Sequence, residues 1–144
     1  MKAIIVSGSV ASGKTTFSKK FAKKNNYEYV DVSLLIKENK LFDGYDKKRK
    51  CYIIDTNKLN RFLTKLIQNS KKTLVIDSHL SHYLPEKYVK TCYIIKTDLK
   101  KLKARLEKRK YSKNKIRENL DAEIFDICYE EAKKAGHKVR IIKT

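Results

Sequence analysis

The sequence predicts an α/β fold, a five-stranded parallel sheet flanked by helices. Three features of the 144-residue chain lead there. Short apolar runs alternate with stretches of helical period along its length. The runs are continuous, the pattern of strands buried on both faces. The turn after the first run carries glycine, lysine and threonine at a fixed spacing before a helix. Parallel strands joined through helices imply right-handed crossovers.

Ala3 to Val6 is the first buried strand. Lys14 to Asn25 has a helical pattern, with Phe17 and Phe21 one turn apart and facing inward. Tyr27 to Val32 reads as a second strand and Ser33 to Glu38 as a short helix. Asn39 to Lys50 is polar, glycine-bearing and dense in charge, an excursion from the core, and the apolar Cys51 to Ile54 returns to it. Thr56 to Asn69 is an amphipathic helix through Leu59, Phe62, Leu63, Leu66 and Ile67, with Asp55 or Thr56 placed to cap it. Thr73 to Ile76 is the third strand, ending in Asp77-Ser78-His79, and Cys92 to Ile95 the fourth. Asp98 to Lys108 is a helix with Leu99, Leu102 and Leu106 on one side. Ser112 to Ala135 reads as one long helix with Ile116, Leu120, Ile124 and Ile127 inside, and Val139 to Ile142 is the fifth strand. No repeat or low-complexity linker interrupts this order and Pro85 marks no hinge, so residues 1–144 read as a single domain.

Composition narrows the class. A hydrophobic share of 41% with 10% aromatics is that of a globular chain. No run approaches the roughly 18 apolar residues of a membrane span, and the apolar start is too short for a signal peptide. Cys51, Cys92 and Cys128 are odd in number and widely spaced, which fits reduced thiols in the cytoplasm. The net charge of +19 attracts phosphate-rich partners such as nucleotides or RNA. Only six of the 35 basic residues are arginine, and the lysines are scattered, so the charge reads equally as a compositional habit.

Gly8-Ser9-Val10-Ala11-Ser12-Gly13-Lys14-Thr15 fits G-x-x-x-x-G-K-[ST] between a strand and a helix, the P-loop of nucleotide-binding proteins. The glycines let successive N–H groups point at a phosphate, Lys14 reaches its outer oxygens, and the Thr15 hydroxyl suits Mg2+. The helix from Lys14 offers its N-terminus to the same anion. A site of this kind needs a second acidic residue at the end of a neighbouring buried strand, where Asp77 stands. If that strand continues, His79 shares the face of Asp77; a lone loop histidine is otherwise structural. Arg105 and Arg109 share a helix face, either as a clamp on phosphoryl charge or as an ordinary solvated face.

With these residues in place, the set GSVASGKTT, LFDGYDKKRKCYIID, VIDSH, LPEKY, RLEKRKYS and KIRENLDAEI resembles the adenylate kinase 6 group of archaea and eukaryotes. These are small adenylate kinase-like ATPases, also described as small-ribosomal-subunit assembly factors. The resemblance spans about residues 4 to 135 and implies a P-loop NTPase core of nucleoside monophosphate (NMP) kinase type. It implies an NMP-binding segment at 33–56, with Lys37, Asp43, Gly44, Tyr45 and Asp46 as its site residues, and a short lid at 108–118. It places ATP on Ala11, Gly13, Lys14, Thr15, Thr16 and Arg109, and Mg2+ at Thr15 and Asp77. Lys14, Asp77, His79, Arg105 and Arg109 become the catalytic set, with Asp77 and His79 the pair for hydrolysis. The implied activity is transfer of the ATP γ-phosphoryl group to AMP, with ATP hydrolysis, in late maturation of small-subunit rRNA beside a uS11-type ribosomal protein.

The sequence also departs from the family. Val10-Ala11 stands where Pro-Gly is usual, with Ala11 expected at negative φ. Lys110 replaces the glycine after the lid arginine, which predicts a stiffer or more helical turn. Lys37 replaces a frequent arginine, keeping the charge and losing the bidentate fork. The family's C-terminal helix has no counterpart after the fifth strand, so one sheet face is expected to be partly uncovered or covered by a partner. Two readings therefore stand side by side: a nucleoside monophosphate kinase, and a nucleotide-switched assembly ATPase gripping RNA and protein.

Overall fold

A computed structural model describes residues 2–48 and 51–144, without the Cys51 side chain. Its main sheet has five parallel strands in the order β2-β5-β1-β6-β7. These are β1 (Ala3–Gly8), β2 (Glu28–Asp31), β5 (Leu74–Asp77), β6 (Val89–Lys96) and β7 (Val139–Lys143). The intervening β3 (Phe42–Asp46) and β4 (Cys51–Ile54) form a separate antiparallel pair. The helices are α1 (Lys14–Asn25), α2 (Val32–Glu38), α3 (Thr56–Asn69), α4 (Leu99–Lys108), α5 (Lys113–Ile124) and α6 (Ile127–Lys134).

Because β1 and β5 are buried at every position, the sheet needs cover on both faces. One face packs Ala3, Ile5 and Ile76 against Ile36 of α2, Leu59, Leu63 and Ile67 of α3 and Ala132 of α6. The other packs Ile4, Val6, Val75 and Ile95 against Phe17, Phe21 and Ala22 of α1. Each fully buried aliphatic side chain in these layers contributes roughly 1.5–3 kcal/mol. Leu102 and Leu106 of α4 close a third cluster with Ala11, Ile116 and Leu120, which fixes α4 and α5 beside the β1–α1 turn. Val6 pairs with Asp77 and Gly8 with Ile95, so the carboxyl ends of β1 and β5 meet next to that turn.

The five main strands and the first three helices follow the predicted order. Several expectations do not hold. The excursion at 39–50 contains β3, which pairs with β4; Arg49 and Lys50 lie outside the described residues. The run from Cys51 to Ile54 therefore does not return to the main sheet, and Ile53 is 51% exposed. A four-residue apolar run carries too little periodicity to separate a core strand from a projecting hairpin.

The predicted helix over Ser112 to Ala135 breaks in two at Asp126, which takes φ 51°. Lys96 holds the break: its Nζ donates to the Glu123 carbonyl at 2.9 Å and lies 2.5 Å from Glu123 Oε1, and it also pairs with the Asp126 carboxylate. Ile124 and Ile127 are consequently half exposed rather than inside. Leu99, expected on the buried side of α4, is also partly exposed. Ile141 of β7 is 48% exposed, so that edge of the sheet keeps an apolar side chain in solvent.

Among the described residues no helix is long and apolar enough to cross a membrane. Cys92 and Cys128 are free, and burial pushes the Cys92 thiol up to about 12.

Candidate active site

The β1–α1 turn is built by glycine where nothing else fits. Gly8 has φ 146°, and a Cβ there would lie 2.7 Å from the Ile95 carbonyl oxygen. Gly13, at φ 100°, caps α1 without any side-chain hydrogen bond, whereas Asp31, Asp55 and Ser112 cap α2, α3 and α5. The first N–H groups of α1 thus keep their donors for an anion. Ala11 adopts φ 67°, against the negative φ expected of it, although it is not glycine. It is buried against Leu102 and Leu106, and its carbonyl accepts from Arg105 Nη1 at 3.1 Å. The Ser12 carbonyl accepts from Thr97 Oγ1 and Thr144 Oγ1, both at 2.8 Å. Lys14 Nζ donates to the Ser9 carbonyl at 2.8 Å, folded over its own loop. Burial lowers the Lys14 pKa, and the Asp77 carboxylate opposes that.

Asp77 ends β5 and is 8% exposed. Its Oδ2 accepts from Thr15 Oγ1 and from Tyr29 Oη, each at 2.8 Å. Among the described residues no group of three or more His, Cys, Asp or Glu could hold a metal ion by itself. A hydroxyl and a carboxylate 2.8 Å apart at a phosphate loop nevertheless fit Mg2+, a hard cation held through one or two protein oxygens, phosphates and water.

The strand does not continue past Asp77; the chain turns at 79–80 and runs into a short 3₁₀ turn at Ser81–Tyr83. His79 therefore does not reach Asp77 by strand alternation, yet both line one cleft. Solvent reaches His79 at the cleft wall, and its pKa is lowered to about 4 by the protein packed around it, then by Lys14 and His82. Behind it His82 is fully enclosed, with Nδ1 2.7 Å from Ser7 Oγ and Nε2 3.6 Å from Glu131 Oε2. Burial lowers the His82 pKa, and Glu131 opposes it.

The cleft is about 1220 Å³ in volume. It brings together Ala11, Gly13, Lys14, Thr15 and Thr16 from the loop with Asp77, His79, Arg105 and Arg109. Of the residues predicted for an acceptor segment, Lys37 and Tyr45 line it; Asp43, Gly44 and Asp46 sit on the hairpin outside its lining. Asp46 Oδ1 accepts from the Lys48 N–H at 3.0 Å, a turn bond at the hairpin end. Arg109 closes α4, and Lys110 follows at φ 61°, so the turn is left-handed rather than more helical. Lining residues that were not foreseen include Lys20, Tyr52, Tyr111 and Lys115. Tyr29, also not foreseen, reaches the site from outside the lining through its bond to Asp77. Lys115 Nζ stacks over the Tyr111 ring at 4.2 Å. Tyr29 became legible only through the β2–β5 register, which sets Asp31 opposite Asp77.

The family profile described as AAA domain matches residues 4–126. The adenylate kinase isoenzyme 6 homolog of Dictyostelium discoideum is 34% identical over 131 residues, 90% of this chain and 73% of the relative. That of Schizosaccharomyces pombe is 37% identical over 133 residues, 92% of this chain and 74% of the relative. In fold, the chain is similar to shikimate kinase from Bacteroides thetaiotaomicron, with TM-score 0.59 at 16% identity over 99% of this chain and 86% of that one.

Proposed function

Because the chain belongs to the adenylate kinase isoenzyme 6 family, we propose that it transfers the γ-phosphoryl group of ATP to AMP, giving two ADP. The carrying observation is that one cleft joins the phosphate loop and the Thr15–Asp77 pair to a basic and aromatic wall of Lys37, Tyr45 and Tyr52. An aromatic wall suits a planar base better than a polyol acceptor.

ATP would lie along Ala11 to Thr16, its phosphates meeting the uncapped start of α1. Lys14 would leave the Ser9 carbonyl for the β/γ oxygens. Thr15 and Asp77 would hold Mg2+, which when bound draws charge from the phosphate oxygens. The acceptor's phosphate oxygen attacks the γ-phosphorus in line as the bond to ADP breaks. Arg105 and Arg109 offer planar donors to the charge on the moving group. Arg105 is already anchored to the loop through the Ala11 carbonyl, which supports its role in placing charge rather than in solvation alone.

ATP hydrolysis is a second reading, supported by His79. Held neutral at physiological pH, its imidazole has a free acceptor to orient water in the cleft. On this reading the protein acts in small-subunit rRNA maturation in the cytoplasm, with a uS11-type protein and rRNA as partners, and the +19 charge favours such an anionic partner.

Turnover of ATP with each nucleoside monophosphate, against ATP alone, with and without the uS11-type protein, tests both readings. Acceptor-dependent ADP formation is expected, fastest with AMP. Acceptor-independent turnover that rises only with the protein partner would leave the assembly ATPase as the main activity. Absence of turnover in every arm would overturn both.

A further inference from the structure

We propose that Tyr29 is a positioning residue that sets the Asp77 carboxylate for the metal side of the nucleotide site and ties it to β2, the strand that leads into α2. The inference rests on reading the cleft as a magnesium–nucleotide site.

Two hydroxyls, from Thr15 on α1 and Tyr29 on β2, donate to the same oxygen, Asp77 Oδ2, each at 2.8 Å. A carboxylate that is 8% exposed gains its stability from such donors, and two donors on one oxygen fix its plane as well as its place. Oδ1 would then serve the water shell of a bound cation. Thr15 would have a second task, because its oxygen would help hold the cation while its proton goes to Asp77. Tyr29 reaches the same oxygen from β2, so the carboxylate is anchored from a second element besides α1.

Tyr29 also joins the two halves of the cleft. It lies two residues before Asp31, whose carboxylate caps α2 by accepting from the Leu34 N–H at 3.2 Å. That helix carries Lys37 on the acceptor wall. Asp31 and Asp77 face each other in the β2–β5 register. One strand thus runs from the metal carboxylate to the cap of the acceptor helix, with Tyr29 as the cross-brace. Lys19 Nζ sits 5.6 Å from the centre of the Tyr29 ring and holds it from the solvent side.

The test uses the full chain and Tyr29→Phe, which removes the hydroxyl and keeps the ring. Affinity for a non-hydrolysable ATP analogue is measured by calorimetry with Mg2+ and with EDTA. The metal-dependent gain in affinity is expected to fall about tenfold or more, the scale of one hydrogen bond to a charged group. The affinity in EDTA and the melting temperature stay near those of the parent. In an Asp77→Asn background the same substitution adds no further loss, because Tyr29 acts through Asp77. An unchanged metal gain in Tyr29→Phe, or an additive loss in the double variant, overturns the inference. So does an equal fall in both affinities with a lowered melting temperature, the mark of a merely structural tyrosine. A parent with no metal gain at all would instead sink the magnesium–nucleotide reading itself.

Discussion

The two walls of the cleft are built differently. On the phosphate-loop side, the carbonyls of Ser9, Ala11 and Ser12 each accept a side-chain hydrogen bond, from Lys14, Arg105 and the Thr97/Thr144 pair. That wall is packed against buried Leu102 and Leu106. On the hairpin side, Tyr45 is 52% and Tyr52 36% exposed. They meet edge to face at 5.3 Å, with Phe42 behind Tyr52 at 4.4 Å. A triphosphate presents the same oxygens every time, so a fixed wall loses nothing by being rigid. An acceptor has to enter and leave, and a wall of solvent-exposed aromatic rings leaves that route open.

The harshest way to break this contrast is at Lys14. Lys14→Ala removes the loop's own lysine, while the loop carbonyls keep their bonds from Arg105 and Thr97. Phosphoryl transfer and hydrolysis are both expected to fall by about a hundredfold or more, with the fold retained by melting temperature. Near-parent turnover would mean that the loop's charge does not face the reaction.

His79 stands at the junction of the walls and separates the two reactions. His79→Ala is expected to slow hydrolysis about tenfold or more while calorimetric ATP affinity changes little. Equal loss of both would make the residue a structural one. Its pH behaviour follows from its position. With a folded pKa near 4 against 6.5 in an unfolded chain, the unfolded state takes up the proton first as pH falls. The contribution of His79 to stability is therefore whole above about pH 6.5 and is lost as the pH drops towards 4. Because the imidazole is neutral over the range from about pH 5.5 to 8, the hydrolysis rate carries no titration from His79 there. A rate step near pH 6.5 that His79→Ala removes would contradict this.

The same contrast explains what could be read from the sequence. The fixed wall was legible because its chemistry is local: Gly8 to Thr15 is one continuous motif, and Asp77 follows an unbroken apolar strand. The hairpin wall was not, because β3 and β4 are short, half exposed and joined through residues with no core periodicity. The break at Asp126 escaped for another reason. Helical period runs through Ile124 and Ile127, and only Lys96, some 30 residues earlier in the chain, gains by breaking it. Tyr29 was likewise invisible until topology placed β2 beside β5. Long-range pairing decides each of these, and period and spacing do not carry it.

A milder test sharpens the hairpin side. If Tyr52 stacks on the acceptor's base, Tyr52→Ala should raise the acceptor KM about tenfold, within the range of one aromatic–base contact. Hydrolysis of ATP without acceptor should not move. Equal effects on both reactions would show the hairpin to be part of the ATP site, and the distinction between the walls would fail.

The smallest effect lies inside the fixed wall. Ala11 and Lys110 both hold left-handed backbone, at φ 67° and φ 61°, a region that costs a residue with a Cβ about 1 kcal/mol relative to glycine. Lys110 is exposed, so Lys110→Gly removes the strain and little else, and a stability gain approaching that value is expected. Ala11 is 7% exposed and its methyl packs with Leu102 and Leu106, so Ala11→Gly loses apolar contact worth nearly as much as the strain relieved. Its net effect on the melting temperature is therefore expected to be near zero. Side-by-side melting of the two variants checks this directly. A large loss in Ala11→Gly would mean that packing, not backbone conformation, holds the loop in its shape. A gain equal to that of Lys110→Gly would mean that the methyl contributes nothing to the wall it sits in.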